Sequence, residues 1–410
     1  MNPRIKKEKQ SKEMKKWLLI LVMVILPFNF LACSGTDEDV LYLLNWGEYI
    51  NEDLVAAFTD ETGITVEIST VDSNEGFKSE LDSGTGNYDI VVPSDYMAEL
   101  LYDNGYLQQI DLTKLTNYDA AAFLPGVAAI MNQLFVDNDE VTTPYSVGIP
   151  YFWGLFGIMY NNNIAGLADF VEANGWGTVF GPAPAGLGSS IRVGLYDVER
   201  FDYAAALLYA ADSGLYDVVP SDMNVFSNAN ISLVETILAQ RDYTEWATDM
   251  LKKNIAAGEL DAAFLYVGDF FDTYLLLAGD ADATTGAEAE AAASGIGIYI
   301  PSNTIAFVDM MVIPVNAEHV DNAHRFIDFF LDPENAYVNS DIVGYTTTLQ
   351  ETYDMILNAT HGDLVRQAMV QNHPYAPMAV SVAATPLTPY TDDQNEAIIT
   401  MLNRVKVGAN

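Results

Sequence analysis

Short apolar runs alternate with amphipathic segments from about residue 40 onward, which predicts strands that alternate with helices. Val40–Leu44 has the composition of a buried strand, and strands are predicted again over 65–70 and 88–92. Between the first two, Asn51 can cap the start of a helix, and Gly63 can end it in the left-handed conformation. This order is that of βαβ units, so we expect an α/β fold with parallel strands and ligand contacts at their carboxyl ends.

The later part of the chain has weaker signals. Gly157–Tyr160 predicts a strand, and the Gly/Pro-rich loop over 181–188 lacks the Lys and Ser/Thr placement of a phosphate-binding loop. Residues 279–295 are mainly Ala, Glu, Asp, Thr and Gly without apolar periodicity. We interpret this segment as an exposed, mobile insertion.

The N-terminus has the order of a secretory signal, because a basic stretch is followed by a short apolar run and then by Cys33. The apolar run, Trp17–Leu26, is shorter than the roughly 20 residues that a membrane-spanning helix needs. Phe30-Leu31-Ala32-Cys33 resembles a lipobox. We therefore expect residues 1–32 to be a lipoprotein signal peptide and 33–38 to be a lipidated tether.

Cys33 is the only cysteine in the sequence, so an intrachain disulfide cannot form. Lipidation of Cys33 would explain a lone thiol in an exported protein, whereas the alternative is an uncleaved anchor with an incidental cysteine. We expect an extracytoplasmic protein that is lipid-anchored to the cell membrane, in the periplasmic space if an outer membrane is present. No second long apolar segment follows, so a transport pore would have to be another polypeptide.

Acidic residues greatly outnumber basic ones. The sequence has 57 Asp and Glu against 18 Lys and Arg, and the predicted signal peptide contains two and seven of these. The remaining 55 acidic and 11 basic residues give residues 33–410 a net charge of −44. Nucleic acid and anionic lipid are disfavoured partners, whereas a cationic ligand would be attracted. A salt-adapted surface would have the same charge, so composition alone does not select a ligand.

Catalytic and metal-binding motifs are not found in the sequence. The four histidines, His319, His324, His361 and His373, have neither metal-ligand spacing nor a nucleophile partner, and we expect the first two at the surface. No serine lies in a Gly-x-Ser-x-Gly turn. We therefore predict no enzyme activity, no catalytic residues, no metal and no cofactor.

Six segments, taken in order, resemble the spermidine/putrescine-binding proteins of bacterial ABC transporters, in the class of two-lobed periplasmic binding proteins. Each is weak alone, and the specificity comes from their order along most of the chain after Cys33. The segments are Asn45-Trp-Gly-Glu-Tyr49, Ser69-Thr70 with Ser73-Asn-Glu75, Tyr88-Asp-Ile-Val-Val-Pro-Ser94 with Tyr96, Ile149-Pro-Tyr-Phe-Trp-Gly154, Asp309 before Ile313-Pro314, and Gly344-Tyr345.

The resemblance implies a type II-like α/β fold of two lobes, each a mixed or parallel sheet flanked by helices, with the ligand in the cleft between them. Lobe 1 would comprise 39–149 plus 308–345, and lobe 2 would comprise 150–307 plus 346–410. Ligand binding would close the lobes, and a cognate ABC permease would recognise the closed monomer.

The resemblance also implies which residues bind the ligand. These are Trp46, Tyr49, Ser94, Tyr96, Asp197, Tyr266, Phe307, Asp309 and Tyr345, with Glu48 and Glu199 as additional candidates. Arg200 stands where the family tends to have a second carboxylate. A polyamine is an apolar chain with terminal ammonium groups, so carboxylates and aromatic rings suit it, at roughly 0.5–2 kcal/mol for each cation–π contact.

Two alternatives to a polyamine carrier stay open from the sequence. The first is a binding lipoprotein for another small cationic solute. The second is an acidic surface or adhesin lipoprotein, which the charge and the segment 279–295 would suit.

Overall fold

The computed structural model describes most of the chain from Asp39 onward. The predicted signal peptide, Cys33, the tether and His361 lie outside the described residues, as does most of the loop over 181–188. The described residues are 39–84, 86–136, 138–182, 191–358, 363–375 and 383–408.

Twelve strands are present in the described residues, and they form one continuous mixed sheet. They are Val40–Trp46 (β1), Thr65–Val71 (β2), Ile90–Val91 (β3), Leu107–Gln108 (β4), Gly148–Asn161 (β5), Val193–Tyr196 (β6), Glu245–Ala247 (β7), Ala262–Tyr266 (β8), Ile296–Tyr299 (β9), Asn303–Pro314 (β10), Thr346–Thr347 (β11) and Ala383–Pro386 (β12). The main strand order is β2-β1-β3-β10-β5-β8-β6-β7.

Sixteen α-helices in the same residues surround the sheet. They are Glu52–Thr62 (α1), Asn74–Ser83 (α2), Asp95–Asp103 (α3), Pro125–Met131 (α4), Leu167–Asn174 (α5), Gly177–Phe180 (α6), Glu199–Ser213 (α7), Asn228–Leu238 (α8), Met250–Ala256 (α9), Val267–Asp280 (α10), Gly286–Ala292 (α11), Val320–Phe330 (α12), Pro333–Val343 (α13), Gln350–Leu357 (α14), Leu364–Asn372 (α15) and Asp392–Gly408 (α16). None of these helices has both the length and the apolar character that a membrane span requires.

The first part of the chain folds as the hydrophobic pattern predicts. β1 pairs in parallel with both β2 and β3, which confirms the expected βαβ order. The side chain of Asn51 accepts hydrogen bonds from the backbone of Asp53 and Leu54, at 3.0 and 3.3 Å, and so caps α1. Gly63 ends α1 with φ at 76°, a conformation that glycine adopts without steric cost.

Two long antiparallel strands, β5 and β10, connect two sections of the sheet. Residues 148–155 of β5 pair with β10, which continues through β3 to the first βαβ units. Residues 156–161 of β5 pair with β8 and β9, and β8 continues to β6 and β7. Each section therefore has its own parallel strands, and the backbone passes between the sections along continuous strands.

The segment 279–295 contains the end of α10, the whole of α11 and a 3-10 turn over Ala293–Gly295, which its interpretation as an exposed, mobile insertion did not predict. The side chains of Thr285 and Glu288 form a capping box that starts α11. A Cβ at Gly286 would lie 2.6 Å from Cβ of Ala368 on α15, so the glycine permits close helix packing. Because small residues make this contact, the segment lacks the large apolar side chains on which periodicity depends.

The expectation that His324 lies at the surface was wrong, because its side chain is buried in α12. Its Nε2 accepts a hydrogen bond from the backbone N–H of Asp111 at 3.0 Å, and its Nδ1 donates to the carbonyl of Val320 at 2.7 Å. His319 is half-buried, with Nδ1 3.0 Å from a carboxylate oxygen of Asp89. Both histidines connect elements of the fold.

Candidate functional site

A cavity of about 690 Å³ is lined by residues from both sections of the sheet. Its volume lies in the range of pockets that hold small ligands. The section built on β1 contributes Trp46–Asp53, Val71–Asn74, Phe307, Asp309, Ile342, Val343 and Tyr345. The section built on β8 contributes Tyr196, Val198, Phe201, Thr248, Asp249, Lys252, Tyr266, Asp269 and Asp272.

Seven of the eleven predicted ligand-binding residues line this cavity. They are Trp46, Glu48, Tyr49, Tyr266, Phe307, Asp309 and Tyr345. Ser94 and Tyr96 are buried beside it, whereas Asp197 and Glu199 do not line it. The structure therefore brings together residues that lie far apart in the sequence, and it places two of the predicted carboxylates elsewhere.

Asp309 is a buried carboxylate in the wall of the cavity. It lies where the register between β10 and β5 shifts, a bulge that can redirect a side chain. The hydroxyl of Tyr49 donates to its Oδ2 at 2.5 Å, and Oγ of Ser94 donates to its Oδ1 at 2.7 Å. Burial raises the pKa of Asp309 to about 6, although these two hydrogen bonds oppose the increase.

Ser94 contacts Asp309 from outside the cavity lining. The side-chain amide of Asn74 donates to Oγ of Ser94 at 3.1 Å, and its oxygen accepts from the backbone N–H of Ser94 at 2.9 Å. Asn74 thus fixes the serine hydroxyl, and the serine fixes the carboxylate. Tyr96 follows in the first turn of α3, where its ring is buried.

Aromatic rings form flat walls next to Asp309. The ring of Tyr266 lies 4.8 Å from that of Phe307 and 6.3 Å from that of Tyr345, between centroids. Tyr345 also meets Tyr49 edge to face at 5.0 Å. Such surfaces can cover methylene groups and attract a cation through the ring face.

Two glycines provide the space for these rings. A Cβ at Gly268 would lie 2.7 Å from three ring carbons of Tyr345, and a Cβ at Gly154 would lie 2.9 Å from Cζ of Phe307. Neither distance is compatible with the present ring positions. The aromatic walls therefore depend on glycine at position 154 of β5 and at position 268 of α10.

Trp46 ends β1 and is half-buried at the cavity. Its indole Nε1 donates to the carbonyl of Val92 at 2.8 Å, and its ring meets Phe77 edge to face at 5.1 Å. These contacts fix the indole plane. Glu48 follows in an exposed position with φ at 53°.

The lining is strongly acidic, with eight carboxylates and one ammonium group among the described residues. The carboxylates are Glu48, Glu52, Asp53, Asp72, Asp249, Asp269, Asp272 and Asp309, and the ammonium group is Lys252. A lining of this composition favours cationic ligands over anionic ones.

Asp269 is the main lining residue that the sequence analysis missed. Its carboxylate is buried, and Oδ1 lies 3.2 Å from Nζ of Lys252 and 3.4 Å from the hydroxyl of Tyr345. Burial raises its pKa to about 6, against the opposing effect of Lys252. The available signal was its position in the first turn of α10, directly after the carboxyl end of β8.

Asp197 and Arg200 have partners outside the cavity. Asp197 forms an ion pair with Lys406 of α16. Arg200 is buried, with its guanidinium 4.0 Å from the ring centroid of Tyr390 and a 2.8 Å hydrogen bond to Oδ1 of Asn224. Arg200 thus links α7 to Tyr390 and Asn224, and it does not line the cavity.

Glu199, the first residue of α7, lies outside the lining and close to Glu75. Desolvation raises the pKa of Glu75, and the charge of Glu199 raises it further. In the described ranges, no group of three His, Cys, Asp or Glu side chains could hold a metal ion.

Comparison with known proteins gives a consistent result. The family described as bacterial extracellular solute-binding protein matches residues 53–363. The spermidine/putrescine-binding periplasmic protein of Escherichia coli is 28% identical over 337 residues, which cover 82% of this chain and 85% of the relative. The putrescine-binding periplasmic protein SpuD of Pseudomonas aeruginosa is 28% identical over 335 residues, which cover 80% and 84%.

Solved structures have the same fold. The spermidine/putrescine ABC transporter substrate-binding protein PotD of Streptococcus pneumoniae aligns with a TM-score of 0.63 at 22% identity, covering 91% of this chain and all of that one. The lipoprotein Tp0655 of Treponema pallidum aligns with a TM-score of 0.64 at 22% identity, covering 90% and 99%. The predicted two-lobed periplasmic-binding-protein fold is confirmed.

The burial of Asp309 predicts a pH-dependent stability of the ligand-free protein. Because its pKa rises from 3.8 to about 6 on folding, its contribution is fully present below about pH 4 and is lost as the pH rises through 6. In Asp309→Asn the free energy of unfolding does not decrease in this way; the decrease in wild type is about 3 kcal/mol, at roughly 1.4 kcal/mol per pKa unit. Urea unfolding should therefore show the variant gaining stability relative to wild type from pH 4 to pH 8.

Asp72→Asn is the matched control for that experiment, because it removes an exposed carboxylate from the same cavity. A stability difference between Asp309→Asn and wild type that is equal at pH 4 and pH 8 would contradict the assigned burial cost.

Proposed function

Because this chain belongs to the bacterial extracellular solute-binding protein family, we propose that it captures a polyamine, spermidine or putrescine, in the cavity at Asp309. The observation that carries the proposal is a buried carboxylate whose partners, in the part of the chain that the structure describes, are two hydroxyl groups, next to walls of aromatic rings. The curated relatives named above as polyamine-binding proteins support the same ligand class. The protein performs no chemical step in this function.

The proposed contacts follow from the geometry of the cavity. One ammonium group of the ligand lies at Asp309, and the methylene chain lies between the rings. The residues assigned to ligand contact are Trp46, Glu48, Tyr49, Tyr266, Phe307, Asp309 and Tyr345, all of which line the cavity. Ser94 positions Asp309, while ligand contact by Tyr96, Asp197 and Glu199 stays a prediction.

The energetics of such a site are adequate for capture. At roughly 0.8 kcal/mol for each methylene, the seven of spermidine give ~5 kcal/mol of favourable burial before costs, and the four of putrescine give ~3 kcal/mol. Micromolar affinity requires ~8 kcal/mol. The remainder would come from the ammonium–carboxylate contact, which is strong because Asp309 is held away from water.

The lobes proposed for ligand capture correspond to the sections of the sheet except at their borders, because residues 150–155 of β5 and Phe307 of β10 pair within the section built on β1. We assign 39–149 plus 308–345 to lobe 1, and 150–307 plus 346–410 to lobe 2. The strand β5 supports one crossing, because it pairs with β10 in one section and with β8 in the other. The strand β10 supports a second, because it pairs with β3 near its end and with β12, which is assigned to lobe 2, near its start. Binding closes the lobes over the ligand, and an ABC permease recognises the closed form.

The location proposed for the protein is the extracytoplasmic face of the cell membrane. Residues 1–32 act as the signal peptide, and Cys33 carries the lipid anchor, as the order of basic, apolar and lipobox-like residues indicates. The names of the curated relatives, which call them periplasmic, support an extracytoplasmic location. The protein acts as a monomer with one permease partner.

Calorimetry with putrescine, spermidine and spermine, on protein that lacks residues 1–32, tests the polyamine proposal. Wild type should bind at least one of these amines, and Asp309→Asn should weaken binding by about 100-fold, because a desolvated charge pair costs roughly 2–5 kcal/mol when truncated. Asp72→Asn, which removes an exposed lining carboxylate, should change the Kd less than about threefold.

The same measurement distinguishes the alternatives. Absence of binding by all three amines in folded wild-type protein would overturn the polyamine proposal, and would leave another cationic solute or a surface role. Equal affinities for wild type and Asp309→Asn would remove Asp309 from the site.

The position of Tyr345 gives an independent prediction for the aromatic wall. Gly268→Ala would displace its ring, because the added Cβ would lie 2.7 Å from it. Loss of one cation–π contact, roughly 0.5–2 kcal/mol, should raise the Kd for the bound amine by about 2- to 30-fold. Gly279→Ala, on the same helix with no atom within 4 Å of the added Cβ, should leave the Kd unchanged. Equal Kd values for the two variants would show that Tyr345 does not contact the ligand.

A further inference from the structure

Lys252 is the one basic side chain that lines the cavity in the described part of the chain. It lies on α9, and its side chain is only 11% exposed. Its Nζ is 3.2 Å from Oδ1 of Asp269 and 2.9 Å from Oδ2 of Asp272. The ammonium group therefore bridges two carboxylates of the lining.

This bridge is buried on the side of Asp269, whose side chain is 4% exposed. The hydroxyl of Tyr345 adds a contact of 3.4 Å to the same carboxylate oxygen. Burial alone would lower the pKa of Lys252, but Asp269 and Asp272 raise it above its ordinary value. Lys252 is consequently a permanent cation within the site.

The two buried carboxylates of the cavity thus differ in their partners. Asp269 has a protein ammonium beside it, whereas Asp309 has hydroxyl donors from Tyr49 and Ser94 and no ion pair among the described residues. The ammonium of a lysine side chain is chemically equivalent to the primary ammonium of an alkylamine. Lys252 therefore occupies the place at Asp269 and Asp272 that a ligand ammonium would otherwise take.

A carboxylate-bearing ligand is a poor match for Lys252. The ammonium is already bound to Asp269 and Asp272, and Asp249 lines the cavity nearby. An anionic group placed there would meet more negative than positive charge. The arrangement lowers the number of carboxylates that are available to ammonium groups of a ligand, and it does not create a site for an anion.

We propose that Lys252 determines specificity by acting as a tethered ammonium at the second cation site, so that the cavity favours the diamine putrescine over the triamine spermidine. This inference rests on the proposed function. A diamine can place one ammonium at Asp309 and the other among the exposed carboxylates of the lining, of which no single one is required. The third ammonium of spermidine would gain most from the second buried carboxylate, Asp269, which Lys252 already neutralises.

Titration calorimetry of putrescine and spermidine with Lys252→Met tests this inference. Methionine keeps much of the apolar length and removes the charge, so the ratio of spermidine to putrescine affinity should rise by about tenfold or more. Lys252→Arg, which keeps the charge, should retain the wild-type ratio. Lys253→Met, at the exposed neighbouring position on α9, is the matched control and should also retain it.

Lys252→Gln provides a second test, because Lys252→Met leaves Asp269 without its charged partner, with only the 3.4 Å contact to the hydroxyl of Tyr345, and can impair folding. The glutamine amide can donate a hydrogen bond to Asp269 without a positive charge, and its expected change in ratio has the same direction. An unchanged ratio, or one that shifts toward putrescine, in either folded variant would overturn the role of Lys252. Failure of the wild type to bind either amine would instead overturn the proposed function.

Discussion

The cavity depends first on the burial of one carboxylate, Asp309, at a break in the register of two long strands. Removing a carboxylate from water is costly, and hydroxyl donors offset only part of that cost. Tyr49 and Ser94 supply these donors, and no positive charge of the described chain pairs with the carboxylate. The ligand-free protein therefore holds a charge whose best partner is a cation from outside.

The surroundings of Asp309 make that partner specific. The rings of Tyr266, Phe307 and Tyr345 lie together and would cover the methylene groups of the proposed ligand, and glycines on β5 and α10 leave the room that those rings occupy. Lys252 gives the section built on β8 a different character, because Asp269 and Asp272 already have an ammonium group beside them. The cavity is thus polarised, with an unpaired carboxylate in one section and an ion-paired one in the other.

The same topology bears on the proposed closure of the lobes. The strand β5 pairs with β10 in one section and with β8 in the other, so the proposed rotation of one section would bend this continuous strand. Phe307 and Asp309 lie on β10 itself, and Tyr266 lies at the end of β8. Non-covalent contacts from both sections to one bound molecule would stabilise the closed arrangement.

Local signals in the sequence determined much of the first βαβ units. The helix cap at Asn51, the left-handed end at Gly63 and the alternation of apolar runs depend on neighbours within a few positions, and the structure agrees with each. The order of the resembling segments also identified the fold class, and it predicted residues, Trp46 and Asp309 among them, that line the cavity.

Only the tertiary structure decided which charges lie together. Asp197 pairs with Lys406, 209 positions later, and Arg200 is buried against Tyr390, although both residues stand in a segment that suggested ligand contact. The bridge from Lys252 to Asp269 likewise joins two helices across the end of a strand. Periodicity and spacing report the local conformation of the chain, whereas ion pairs depend on where distant segments pack. For that reason the sequence indicated an acidic, ring-lined site, and the fold alone specified its counterion.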